Sequence, residues 1–327
     1  MDVKIILCIL YSSFFSFVSS LILTKQIIKI SSKKNMFQII REDLGDLHQN
    51  KTNIPSFGGI AINISFLITF LISLIFIRYD KKVFYLIICY IFFFLVGIID
   101  DYLKIKMKDG KGLKGKIRIA LEIIIVMIFI YLLGYQNGSK WIIQMPFINT
   151  FKYVGWTYIF FIIFLLVGTS NAVNLTDGLD GLASGVMIIS LLPFAFIALR
   201  NSENNISYII LMMVGSILGF LVYNFYPAKI FMGDCGSLSI GFFLGGIALL
   251  LKKELLLLFT GFIFVIETLS VILQVFSFKL FKKRIFKIAP LHHHLEKSGF
   301  SERKIVLLFY ILSLFMSLMT IFMEKSQ

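Results

Sequence analysis

The sequence predicts an all-α fold: a polytopic membrane bundle of ten transmembrane helices with both termini on the outer side. Three observations carry that expectation. The 327-residue chain is 58% hydrophobic, holds 36 Phe and has a mean hydropathy of +0.90, well beyond a soluble domain whose apolar share is about half. Apolar runs long enough to cross about 30 Å of hydrocarbon as helices recur along it, whereas the period-two alternation of a membrane barrel does not. Lys and Arg gather in alternate connections, as they do in multi-spanning proteins.

The ten spans fall at about 3–23, 58–77, 83–100, 117–134, 155–172, 182–199, 206–225, 237–251, 255–278 and 304–323, each with an end uncertainty of a few residues. Segments 24–57, 102–118, 226–236 and 279–304 hold 22 of the 32 Lys and Arg residues. The positive-inside rule therefore makes their side cytoplasmic. Residues 1–23 resemble a signal peptide, but cleavage near Ser20 would strand the Lys-rich stretch that follows outside, so the segment is kept as a span. One integral-membrane domain is expected, with its working parts on the cytoplasmic face.

The formal charge of +14 is explained by these loops and implies no nucleic-acid partner. Basic loops beside a bilayer also attract anionic headgroups and phosphorylated substrates. Cys8, Cys89 and Cys235 lack paired or metal-type spacing, and no disulfide is expected. Outer connections such as 78–82, 200–205 and 252–254 are too short for a folded ectodomain. The longer 135–154, flanked by Trp141 and Trp156, suits interfacial anchoring and is assigned no chemistry.

The cytoplasmic span ends hold the chemistry. Carboxylates beside hydrocarbon are costly unless they serve a metal, a proton path or a substrate. In DDYLK, helical spacing puts Asp100 and Lys104 on one face with Asp101 turned about 100° away. A helix-end ion pair is the plain alternative, yet one lysine cannot neutralise two aspartates. In NAVNLTDGLDG, the residues Asn171, Asn174, Asp177 and Asp180 are interrupted by Gly178 and Gly181, so a turn after about Asn174 presents Asp177 and Asp180 beside backbone amides suited to phosphate oxygens. A helix-stopping Asx turn would read the same way. FMGDCGS sets Asp234 between glycines, with Asn224 and Pro227 shortly before it. Hard oxygen ligands without a His or Cys cluster favour Mg²⁺ over Zn²⁺. Together the three motifs suggest a carboxylate-lined site for a magnesium-bound phosphate ester.

Lys51 and Lys116 are candidate phosphate contacts, although most such lysines are simply solvated. His292, His293 and His294 stand in a loop with Glu296; consecutive side chains diverge, so substrate hydrogen bonding is preferred to zinc. Glu267, deep in the ninth span, is protonated, paired or at a helix break, and the sequence leaves these open.

In order, DDYLK, NAVNLTDGLDGLASG, YNFYPAKIFMGDCGSLSIG and PLHHHLEKSGFSERK resemble the polyprenyl-phosphate N-acetylhexosamine-1-phosphate transferases, from about Lys51 to Lys304. The P-x-HHH-x-E and PSFGG elements favour the muramoyl-pentapeptide branch over the N-acetylglucosamine branch. Ser56, Phe57 and Cys235 depart slightly from the family pattern. The resemblance implies transfer of phospho-N-acetylmuramoyl-pentapeptide from UDP-N-acetylmuramoyl-pentapeptide to undecaprenyl phosphate, giving lipid I and UMP. It further implies Mg²⁺, contact with membrane lipids and a homodimer. By motif, Asp234 is similar to the metal ligand, with Asp100 and Asp177 as further candidates, and Asp100 and Asp101 are similar to the essential pair. Lys104 and His292 to His294 join the catalytic set. Lys51, Lys116, Asn174, Asp177, Gly178, Asp180, Asn224 and Phe231 complete the substrate pocket, Phe231 and Asp180 as nucleoside contacts. A UDP-N-acetylglucosamine donor is the enzymic alternative. A secondary transporter is the alternative of another class, disfavoured because the charges crowd one face and no inverted repeat is evident.

Overall fold

The computed structural model describes residues 3–33, 37, 54–107, 112–134, 141–145 and 151–325. Lys51 lies outside them. The regular structure among the described residues is nearly all α-helix: α1 (Val3–Lys33), α2 (Gly58–Ser73), α3 (Lys81–Met107), α4 (Gly115–Leu132), α5 (Thr157–Thr176), α6 (Leu182–Arg200), α7 (Asn204–Asn224), α8 (Asp234–Leu250), α9 (Leu257–Thr260), α10 (Phe262–Phe281), α11 (Leu291–Glu296) and α12 (Glu302–Lys325). Two short strands, β1 (Ile142–Gln144) and β2 (Phe151–Tyr153), pair antiparallel with Ile142 opposite Tyr153, in the loop expected only to anchor at the interface.

Among the described residues, seven helices are long and apolar enough to cross a membrane: α1, α3, α5, α6, α7, α10 and α12. The chain is thus a multi-pass membrane protein. Helices α2 and α8 are apolar but shorter, and α4 carries Lys116, Arg118 and Glu122 in its first half. Two expected boundaries shift for local reasons. Helix α1 runs ten residues past 23, because no Gly or Pro interrupts it. The expected ninth span is broken: a 3₁₀ turn at Glu254–Leu256 and α9 lead to Gly261, after which α10 begins anew.

Helix α8 is the centre of the bundle. Every residue from Asp234 to Leu249 is buried, and α2, α3, α5 and α6 surround it. Helices in a bilayer gain little hydrophobic drive from one another, so association rests on close backbone approach and interhelical hydrogen bonds. Both are present. A Cβ on Gly59 would lie 2.1 Å from the Gly236 nitrogen, and one on Gly97 would lie 2.4 Å from the Asp234 carbonyl oxygen. Ser170 donates to the Leu238 carbonyl at 2.9 Å, and Asn63 donates to Cys235 at 3.1 Å. Farther along, Phe242 stacks on Phe93 with centroids 4.4 Å apart. At about 1.5 Å per residue α8 is roughly 25 Å long, short for a lipid-facing span, but its neighbours enclose it.

These contacts fix where the N-terminus of α8 ends up, and with it Asp234. Gly59→Ala is expected to destabilise the fold by about 1–3 kcal/mol through overpacking against backbone that cannot rotate away. A lowered melting temperature in detergent checks this; an unchanged one contradicts the close α2–α8 contact.

Candidate active site

The last two turns of α3, the start of α4, the end of α5 and the first turn of α8 meet at one end of the bundle. Residues Asp100 and Asp101 on α3 and Asp234 on α8 are all buried, and carboxylate oxygens, one from each, lie within 4.8 Å of one another. Lys104 stands among them. Its Nζ is 2.7 Å from Asp100 Oδ2, 2.7 Å from Asp234 Oδ1 and 3.6 Å from Asp101 Oδ1. The first of these is the i,i+4 pair expected from DDYLK.

Each carboxylate also has backbone partners. Asp100 Oδ1 accepts from the Leu113 amide at 2.7 Å. Gly112, just before it, has φ 58°, and a Cβ there would meet the Asp100 carboxylate at 2.8 Å, so the turn wraps the acid only as glycine. Asp101 accepts from the amides of Asp234 at 3.1 Å and Cys235 at 2.9 Å.

A second cation completes the cluster. Arg118, on the first turn of α4, donates from Nη1 to Asp234 Oδ2 at 2.8 Å and from Nη2 to Asn171 Oδ1 at 3.0 Å. Asn171 donates in turn to Glu122 at 2.5 Å, and Arg118 Nε lies 3.6 Å from the same buried carboxylate. Neither Arg118 nor Glu122 was singled out from the sequence. The available signal was an Arg and a Glu four apart at the start of an apolar run, a spacing that puts them on one helix face. Lys116, singled out instead, is exposed on α4.

The TDGLDG turn lies beside this cluster. Asp177 follows the last residue of α5 and takes a hydrogen bond from the Gly233 backbone. Burial, followed by the negative charges of Asp234 and Asp101, pushes its carboxyl up to about 7. Asn174 donates to Ser237 Oγ at 2.8 Å, tying α5 to α8. Gly178 faces His292, whose Nε2 would be 2.2 Å from a Cβ added there.

Asp180 and Asn224, expected in the substrate pocket, are buried and braced. Asp180 Oδ2 accepts from the Ala228 amide at 2.9 Å, while its own amide donates to Glu302 at 2.6 Å. Asn224 accepts from Ser184 at 2.7 Å and donates to the Ile230 carbonyl at 3.0 Å. Phe231 pairs through its backbone with Pro55 and Gly58 at 2.9 and 2.8 Å, which holds the PSFGG segment against the Asp234 loop.

The three histidines start at the second residue of α11, a short helix where a loop was expected, and the His292 and His293 rings do not diverge but lie with centroids 4.1 Å apart. His292 is fully buried; its amide donates to Glu267 Oε1 at 3.1 Å and its Nδ1 lies 3.1 Å from Glu267 Oε2. Glu267 is therefore paired. His293 Nδ1 is 2.8 Å from Glu296, and His294 Nδ1 accepts from the Lys287 amide at 3.1 Å. No group of three histidines, cysteines or acids that could hold a metal occurs around them among the described residues.

Residues 83–252 match the glycosyl transferase family 4. The chain is 42% identical to the phospho-N-acetylmuramoyl-pentapeptide-transferase of Staphylococcus carnosus over 91% of its own length and 94% of that protein. It is 40% identical to the protein so named from Bacillus subtilis over 97% and 98% of the two chains. With the Staphylococcus epidermidis protein of that name it shares 43% identity over 85% of this chain and 87% of the relative. Buried acids, two cations and a matching sequence across nearly the whole length thus converge, and the chain belongs to glycosyl transferase family 4, among the phospho-N-acetylmuramoyl-pentapeptide-transferases.

Proposed function

We propose that the protein transfers phospho-N-acetylmuramoyl-pentapeptide from UDP-N-acetylmuramoyl-pentapeptide to undecaprenyl phosphate, forming lipid I and releasing UMP. The observation that carries the chemistry is the Lys104 ammonium held within 2.7 Å of both Asp100 and Asp234 in a buried cluster. The family relationship carries the choice of substrates. A phosphate oxygen of the lipid attacks the sugar-bearing phosphorus; the bond from that phosphorus to the bridging oxygen breaks, and UMP leaves with the bridging oxygen.

Two anions must approach each other, so catalysis is chiefly neutralisation and positioning. Lys104 and Arg118 supply fixed positive charge. A phosphate monoester with a second pKa of about 6 is largely dianionic at neutral pH and hardly needs a base. Asp100, gripped by Lys104 and the Leu113 amide, accordingly orients the lysine rather than deprotonating the acceptor.

Mg²⁺ is the cofactor in this proposal. The donor set fits it: buried carboxylates from Asp100, Asp101 and Asp234 outnumber the two cations beside them, Asp177 adds a further acid, and a cation already occupies the midst of the trio in the form of Lys104. Asp234 would be the principal ligand, with Asp100 and Asp177 as further ones. When bound, the ion supplies charge neutralisation for the diphosphate. Lys51, Lys116, Asn174, Asp177, Gly178, Asp180, Asn224, Phe231 and the histidines remain proposed substrate contacts. The site is taken to face the cytoplasm of a bacterial inner membrane, in a homodimer of ten-span subunits with both termini outside, as the distribution of Lys and Arg supports.

Solubilised protein given polyprenyl phosphate, Mg²⁺ and either UDP-N-acetylmuramoyl-pentapeptide or UDP-N-acetylglucosamine should release UMP with the first donor alone; release with only the second would replace the proposed substrate. Asp234→Ala should abolish magnesium-dependent turnover, and near-normal rates would remove Asp234 from the metal site. Arg118→Gln is expected to lower kcat by about 100-fold or more, against less than about tenfold for the exposed Lys116→Gln. Asp100→Asn should stay impaired at pH 9; recovery there would make Asp100 a base.

A further inference from the structure

We propose that Asp101 is a positioning residue that caps α8 from the neighbouring helix and so aims the Asp234 carboxylate. The adjacent aspartates of α3 would then do different work. An α-helix begins with four amides that have no partner within the helix, and those of α8 start in a buried place where water cannot serve them. A Ser, Thr, Asp or Asn at the N-cap usually accepts from one of them. Here the N-cap is Gly233, which has no side chain, and its φ of 77° is open to glycine with little strain. A Cβ on Gly233 would in any case stand 2.6 Å from Asp101 Oδ2.

The partners of the four amides can all be named. Those of Asp234 and Cys235 donate to the two oxygens of Asp101 at 3.1 and 2.9 Å. That of Gly236 donates to the Gly233 carbonyl at 3.1 Å, and the Gly233 backbone itself donates to Asp177; from Ser237 onward, at 3.0 Å from the same carbonyl, the regular helical ladder begins. Asp101 thus places its two acceptor oxygens at the positive end of the α8 dipole, where a carboxylate is favoured. Gly97, one turn earlier on the same face of α3, lets that helix come close enough for the grip.

Asp100 is engaged differently. Its oxygens take the Leu113 amide and the Lys104 ammonium, whereas Lys104 is 3.6 Å from Asp101 and only 2.7 Å from Asp100 and Asp234. Tilting the first turn of α8 would shift Asp234 relative to Lys104 and Arg118 together. Asp101→Asn keeps the shape but puts an amide NH₂ against one of the two donors, which removes one hydrogen bond and adds a repulsion.

The structural half of this proposal is independent of the transferase reading, and the kinetic half rests on it. Amide hydrogen exchange on peptides spanning 229–240 should show the Asp234 and Cys235 amides protected in the wild-type protein without Mg²⁺ or nucleotide, and about tenfold or more less protected in Asp101→Asn. The same variant should lose about 100-fold in kcat and need more Mg²⁺ for half-saturation, with the KM for the UDP-linked donor within about threefold of wild type. Asp101→Cys should stay inactive when Cd²⁺ or Mn²⁺ replaces Mg²⁺. The proposal is overturned by unprotected wild-type amides, by unchanged exchange in an inactive Asp101→Asn, or by Cd²⁺ rescue of Asp101→Cys, which would mark a metal ligand. If the variants do not fold, the wild-type exchange alone decides, because the cap must exist before any ion binds. If the wild type releases no UMP from either donor, the transferase reading falls while exchange still judges the cap.

Discussion

Several carboxylates buried at one end of a helix bundle must each be given a counter-charge, and the local structure follows from that requirement. An isolated buried ion is costly by several kcal/mol, and removing one partner of a buried pair is more damaging than never having had the pair. Asp100 and Asp234 share Lys104, Asp234 and Glu122 share Arg118, and Asp101 faces a helix N-terminus. No single cation serves the whole group. The cluster is consequently held from three helices at once, which fixes its geometry more tightly than any one salt bridge would.

That geometry depends on backbone packing away from the charges. Helix α8 carries Asp234 as its first residue, and its enclosure by α2, α3, α5 and α6 sets its height and tilt. Glycines at 59, 97 and 236 bring main chains together where any side chain would intrude. The turn after α5 is held as well: Tyr310 on α12 donates to the Gly181 carbonyl at 2.5 Å, and Gly185 leaves the room that its hydroxyl fills. Small residues and charged residues therefore act as one system, the first setting distances that the second exploit.

Much of this was legible in the sequence, but not all. The helical segments follow from apolar length alone, and the Asp100–Lys104 pair follows from a spacing of four. The break at Gly261 was missed because a lone glycine in an apolar run usually passes within a helix. Arg118 was hidden among seven Lys and Arg residues in 102–118, where charge alone could not tell which one turns inward. The partner of Glu267 lies 25 residues away beyond the end of α10, a contact that no local pattern encodes. Asp180 and Asn224, expected in the substrate pocket by motif, also brace the 225–231 loop, through contacts that the sequence does not encode locally.

The enclosure of α8 has one more consequence. A helix that meets lipid along its length must tilt, stretch its surroundings or slide when the membrane thickens or thins. Helix α8 touches protein on all sides, so the outer helices absorb such changes and the turn bearing Asp234 keeps its depth. Chemistry placed on an inner strut of this kind is insulated from shifts in acyl-chain length and growth temperature that would deform a site built on the rim.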